Sequence, residues 1–110
     1  MIIEKTTVYK VKGTSVPFTE KIKIDDITGE KIYDPVLEQE NDLRLYNEYR
    51  KIKGLLLPHE ITRIRKNKKL SILEFSLILN IHERRLLQIE NGSIQTFEED
   101  EKIRNFLKFE

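Results

Sequence analysis

The chain begins with alternation. Residues 6–12, TTVYKVK, and 20–28, EKIKIDDIT, place apolar and polar side chains in turn and are rich in β-branched residues. That period of two marks half-buried strands. GTSVP at 13–17 lies between them and reads as the connecting loop. Gly29 marks the next turn, KIY at 31–33 a third short strand, and Pro35 a boundary. Such a hairpin offers few large side chains and is marginal alone, so it must lean on another element.

From Pro35 the period becomes helical. Leu45, Tyr49 and Ile52 recur at i, i+4 and i+7, with Tyr46 beside them. Asp34 suits the cap, Pro35 the first helical position and Gly54 the end. One linker helix of about four to five turns is expected. Four shorter segments follow. PHEITRIRKNKK starts on Pro58 with Ile61 and Ile64 inward. SILEFSLIL starts on Ser71 with Glu74 three residues on, a capping-box pattern, and Phe75, Ile78 and Leu79 form its core face. Asn80 tolerates the left-handed conformation of a tight turn. HERRLLQIEN follows and closes on Asn91-Gly92. TFEEDEKIRNFLKF opens on Thr96 and carries the run 98–101, EEDE, where negative charge suits a helix start. Phe97, Ile103, Phe106 and Leu107 would pack it onto the others. Two short helices joined by a three- to four-residue turn inside a helical bundle match a helix-turn-helix. The expected class is α+β: a small β-rich module over 1–34, then a linker helix and an all-α helix-turn-helix bundle over 35–110.

Composition narrows the chemistry. The 110 residues are 38% hydrophobic and 35% charged, as in a small globular protein with a modest core. No apolar run reaches the roughly 18 residues of a membrane span, and the N-terminus lacks the layout of a signal peptide. Cysteine is absent, which removes disulfides and thiolate metal sites. A cytoplasmic location is expected. The wealth of Ile, Lys, Asn and Glu is associated with AT-rich bacterial or phage genomes. The net charge of +1 is unevenly spread: residues 1–57 balance, 58–92 carry +3 and 93–110 carry −2. The basic excess falls on the segment that holds Arg84 and Arg85, a pointer to an anionic partner. Ser, Thr and two distant histidines suggest no catalytic triad, so no enzyme and no cofactor are expected.

The order of motifs resembles a known family. LSILEFSLILNIHERRLLQIENG is similar to the helix-turn-helix of the Xre/Cro-repressor class, on Leu70, Ser71, Phe75, Leu79, Ile81, Leu86, Ile89, Glu90 and Gly92. YR at 49–50, GLLLPHEI at 54–61, IR at 64–65 and ENGSIQ at 90–95 resemble MqsA/YgiT-type antitoxins and the related SocA-like antitoxins. The likeness covers roughly residues 6 to 108. It implies a DNA-binding transcription regulator of a toxin–antitoxin system or a phage, acting as a homodimer on a palindromic operator. The family carries a zinc module whose Cys-x-x-Cys-Gly-Glu aligns with Asp25 to Glu30. Asp25 and Thr28 then stand at ligand positions and make a poor zinc site, since structural zinc takes four Cys or His ligands. His59 and His82 lie elsewhere. The module is expected to persist without metal.

Base reading needs bidentate donors. Arg pairs with guanine and Gln with adenine, and Arg84 and Gln88 lie four apart on one helix face, on the positions that read bases in the family. Arg85 and His82 flank that face and suit phosphate, as do Lys66, Lys68, Lys69 and Ser71 before and at the start of the preceding helix. Glu83 opposes this by repelling phosphate. A second reading comes from Ile72, Leu73, Leu77 and Leu87. These are apolar where this class is usually polar, and would suit a toxin or other protein partner, in which case the chain is an inhibitor that keeps the fold but acts through a protein interface.

Overall fold

A computed structural model describes residues 1–108 and is α+β. Three antiparallel strands, β1 (Ile2–Val11), β2 (Thr14–Ile24) and β3 (Lys31–Ile32), lie in the order β1-β2-β3. Five helices follow: α1 (Pro35–Lys53), α2 (Pro58–Asn67), α3 (Ile72–Leu79), α4 (Glu83–Glu90) and α5 (Phe97–Lys108). The expected continuation of the last helix to Phe109 lies outside the described residues. Among the described residues no helix is long and apolar enough to cross a membrane.

The chain forms two compact units, Met1–Ile52 and one beginning at Lys53. The sequence pattern places this division at 34/35. It moves because α1 is built into the sheet rather than onto the bundle. β1 and β2 pair without a break from Val11↔Thr14 to Ile2↔Lys23. Their turn is only Lys12-Gly13, both at positive φ (48° and 79°), as a two-residue hairpin turn needs. Thr14 to Pro17, expected as loop, therefore belong to β2. Pro17 is tolerated there because of hydrogen-bond alternation. Val11↔Thr14 closes the turn as a bonded pair, so Val8↔Pro17 is a non-bonded pair. The position of the missing N–H faces away from β1.

That outer edge of β2 is then covered residue by residue. β3 takes Lys23. Buried Asn41 on α1 imitates a strand's peptide group at Lys21: its Oδ1 accepts from Lys21 N at 3.0 Å and its Nδ2 donates to Lys21 O at 2.8 Å. Arg44, one turn on, donates to Thr19 O at 2.7 Å while its guanidinium lies 5.1 Å from the Phe18 ring centre. Val11, Val16, Phe18 and Leu37 are buried in this unit. Asp34 caps α1 through Val36 N and Leu37 N. Of its expected inward residues Tyr49 is buried, but Ile52 is half exposed.

The second unit has one core. Ile61, Phe75, Leu79, Ile81, Leu86, Ile89 and Ile103 are buried together, with Leu56, Ile64, Leu70 and Phe106 packed around them. Each fully buried side chain contributes about 1.5–3 kcal/mol relative to exposure. Phe75 and Phe106 meet edge to face at 5.3 Å. Ile78, Phe97 and Leu107, expected inward, are exposed. Phe75 and Leu79 already fill the inward stripe of the two-turn α3, and Ile103 and Phe106 supply the apolar contacts of α5 with the core.

Candidate nucleic-acid interface

Every helix boundary here is set by a local hydrogen bond that the sequence encodes. Ser71 Oγ accepts from Glu74 N at 3.0 Å and Glu74 Oε1 accepts from Ser71 N at 2.9 Å. These bonds to the charged form hold the Glu74 carboxyl below its usual pKa. Asn80 ends α3 in the left-handed region, φ 55° and ψ 46°. The chain reverses over Asn80, Ile81 and His82. Ile81 is buried and anchors the turn. His82 Nδ1 then accepts from Arg84 N at 3.2 Å and starts α4. α4 closes with Ser93 N bonded to Gln88 O and Gly92 N to Ile89 O, the pattern that places glycine after a helix.

Polar contacts lock α4 to its neighbours. Arg65 of α2 makes a two-nitrogen grip on Glu90, with Nε–Oε2 at 2.9 Å and Nη2–Oε1 at 3.0 Å, and also holds Leu70 O. Thr62 donates to the same carboxylate. The Glu90 side chain is only 4% exposed. On the other side Arg85 donates to both Glu99 oxygens at 2.9 Å and to Ile94 O. The Arg85 hydrogen bond, ahead of an opposing effect of burial, holds the Glu99 carboxyl below its usual pKa and raises that of Arg85. Arg85, expected to contact phosphate, is thus a structural tie between α4 and α5. The sequence could not separate it from Arg84, because its partner lies 14 residues on and in another helix. A third cluster joins the segment before α2 to α5: buried Asp100 accepts from Leu56 N, Gln95 Nε2 and Arg104 Nε.

What remains on α4 is exposed. His82, Glu83, Arg84, Leu87 and Gln88 lie at the surface. Among the described residues Arg84 and Gln88 have no side-chain partner, and they share one face by their spacing. Lys66 in the last turn of α2 and Lys68 and Lys69 between α2 and α3 are exposed, and so is Ser71. Lys69 stands at φ 56°, in the position after a helix that glycine usually fills. Leu70 N bonds back to Arg65 O and Lys69 N to Lys66 O, which fixes this turn. Arg63, three residues before Lys66, is exposed too, and among the described residues it has no side-chain partner. No sequence signal separates it from Arg65 on the same short helix, which is spent on Glu90. Leu73, Leu77 and Leu87 are 50%, 73% and 47% exposed, and Ile72 is half-buried. Leu73 and Leu77 line a shallow depression shared with His82 and Glu83, so the apolar face of α3 adjoins the start of α4.

The turn that would carry zinc in the resembled family is held differently. Asp25 Oδ1 accepts from Ile27 N at 2.8 Å and Thr28 N at 2.9 Å, and Thr28 Oγ1 accepts from Glu30 N. The Thr28 and Ile27 amides hold the Asp25 carboxyl below its usual pKa. A carboxylate and a hydroxyl spent on backbone amides do not fit a zinc site. Comparison with protein-family models, curated proteins and solved structures gives no match. The antitoxin resemblance therefore rests on the quoted motifs alone.

Proposed function

We propose that the chain is a non-catalytic DNA-binding regulator whose α3–turn–α4 pair acts as an Xre/Cro-type helix-turn-helix of an antitoxin-like or phage repressor. The observation that carries this reading is the division of labour on α4. Arg85, Leu86, Ile89 and Glu90 are consumed by the fold. Arg84 and Gln88, the two residue types that read guanine and adenine bidentately, are left exposed on one face. Arg63, Lys66, Lys68 and Lys69 supply positive charge for the phosphate backbone. A homodimer would meet a palindrome with half-sites about 34 Å apart. The test is binding to the DNA upstream of its own reading frame at several salt concentrations. Sequence-specific binding that weakens with salt supports the reading, and its loss by about 1–3 kcal/mol with relaxed preference in Arg84→Ala assigns the reading residue. Equal weak binding to all DNA sinks it.

A second reading, an inhibitor or antitoxin acting through a protein interface, is favoured by one observation. Leu73 and Leu77 are exposed beside Glu83 at the start of α4, where phosphate would lie in the first reading. Under it, Leu73→Asp with Leu77→Asp keeps the fold and abolishes capture of a toxin-like partner encoded beside it. A variant that stays folded and still captures that partner removes this reading.

A further inference from the structure

We infer that the outer edge of β1 is a homodimer interface, on which a second copy of the chain adds its own β1 antiparallel to form a continuous six-stranded sheet. This stands apart from the DNA reading and does not depend on it.

The two edges of the β1-β2 hairpin are treated unequally. On β2 the edge is closed by β3, Asn41 and Arg44, with a proline where no donor is needed. On β1 it is open: among the described residues the strand has β2 as its one neighbour. The pairing alternation fixes which groups face outward. Odd residues of β1 bond to β2, so the amides and carbonyls of Ile2, Glu4, Thr6, Val8 and Lys10 face away from it. Ten consecutive pairs run without a bulge, and β1 holds no proline. The devices that blunt an edge are absent from its middle, Thr6-Thr7-Val8, whose side chains are β-branched.

Charge then selects the occupant and the register. Two copies related by a two-fold axis at Thr7 set Glu4 opposite Lys10 and Lys10 opposite Glu4, Thr6 opposite Val8, and Ile3 opposite Val11. Glu4–Lys10, Thr6–Val8 and their two symmetry mates, all with outward backbone groups, are then bonded pairs. Centring on Thr6 instead opposes Glu4 with Val8 and Ile2 with Lys10. Centring on Lys5 sets two ammonium groups face to face, which is destabilising. Lys10 Nζ now donates to Ser15 Oγ at 2.8 Å, and an ammonium has two further protons for Glu4 of the second copy.

The experiment is sedimentation equilibrium of the full chain with a cross-linking readout. A mass of twice 13.2 kDa is expected, concentration-dependent and reversible. Val8→Pro removes an outward N–H that β2 does not use, and should give a folded monomer by circular dichroism. Glu4→Lys should weaken association about tenfold or more by turning two attractive pairs into repulsive ones, and Lys10→Glu added to it should restore association. Because the chain has no cysteine, Thr7→Cys should form a disulfide dimer on mild oxidation while Thr6→Cys should not. A monomer up to the solubility limit overturns the proposal. So does a dimer indifferent to Val8→Pro, Glu4→Lys and the position of the cysteine, which would place the contact elsewhere, for instance on Leu73 and Leu77. Should Val8→Pro fail to fold, the charge swap and the two cysteine variants still decide.

Discussion

Replacing each of the adjacent arginines of α4 by alanine should give opposite results. Arg85 is 33% exposed and Glu99 15%, and the pair shares two hydrogen bonds at 2.9 Å, with a third from Arg85 to Ile94 O. A hydrogen bond to a charged group contributes about 1.5–3 kcal/mol, and a pair one-third open to water keeps roughly half of that. Arg85→Ala should therefore cost about 1–2 kcal/mol. In a domain of this size each kcal/mol moves Tm by about 4–8 °C, so the midpoint should fall by about 4–16 °C. Arg84 is exposed and has no side-chain partner among the described residues, so Arg84→Ala should stay within about 0.5 kcal/mol of the parent. Thermal melts followed by far-ultraviolet dichroism measure this, and a cycle of Arg85→Ala with Glu99→Ala should return a coupling of about 0.5–3 kcal/mol. Titration of upstream DNA below both midpoints should reverse the order, with Arg84→Ala the more damaging. Equal midpoints for the two variants, or zero coupling between Arg85 and Glu99, would refute the assignment of Arg85 to the fold.

Three further outcomes follow from the contacts. Glu90→Ala leaves the half-buried Arg65 guanidinium beside Thr62 without its counter-charge, and should cost about 2–4 kcal/mol in urea denaturation; Arg65→Met with Glu90→Leu should recover most of it. Lys69→Gly relieves a left-handed lysine and should stabilise by up to about 1 kcal/mol while weakening binding to DNA of every sequence, read as a salt slope lower by about one unit. Glu99, Glu74 and Asp25 all have folded pKa values below their unfolded ones, so their stabilisation is complete above about pH 4.5 and is lost as pH falls through the folded values; melts of the parent between neutral and acid pH should show this, and Glu99→Gln should lower neutral stability and flatten the acid limb.

The legible parts were those encoded within a few residues. Asp34, Pro35 and Gly54 bounded α1, Ser71 with Glu74 opened α3, and Asn80 turned the chain, because each acts on backbone two to four positions away. Contacts between elements were not legible. Asn41 appeared as one polar residue on an amphipathic helix, yet its amide closes a sheet edge 20 residues back. Arg65 reads as part of a motif, Arg85 as a phosphate contact and Asp100 as one charge of an acidic helix start, whereas their partners lie 25, 14 and 44 residues away. Pro17 argued for a loop until the pairing alternation gave its nitrogen an edge to face. The apolar surplus on α3 was visible as a departure from pattern, and its exposure at Leu73 and Leu77 follows from an α3 of two turns with a single inward stripe.

The amide of Asn41 also decides what kind of assembly the hairpin can enter. A protomer with one open edge can pair only with the same edge of another copy, and the pair is then finished. A protomer with two open edges can pair head to tail, β1 of one copy along β2 of the next, and nothing ends the series. Asn41→Leu opens that second edge at Lys21 while leaving the helix and its apolar contacts in place. With β3, Arg44 and Pro17 still in place, that single opening should give only a concentration-dependent trace of larger species in sedimentation, and adding Arg44→Ala should increase it. Asn41, Arg44, Pro17 and β3 together thus stand between a closed complex and an unbounded polymer.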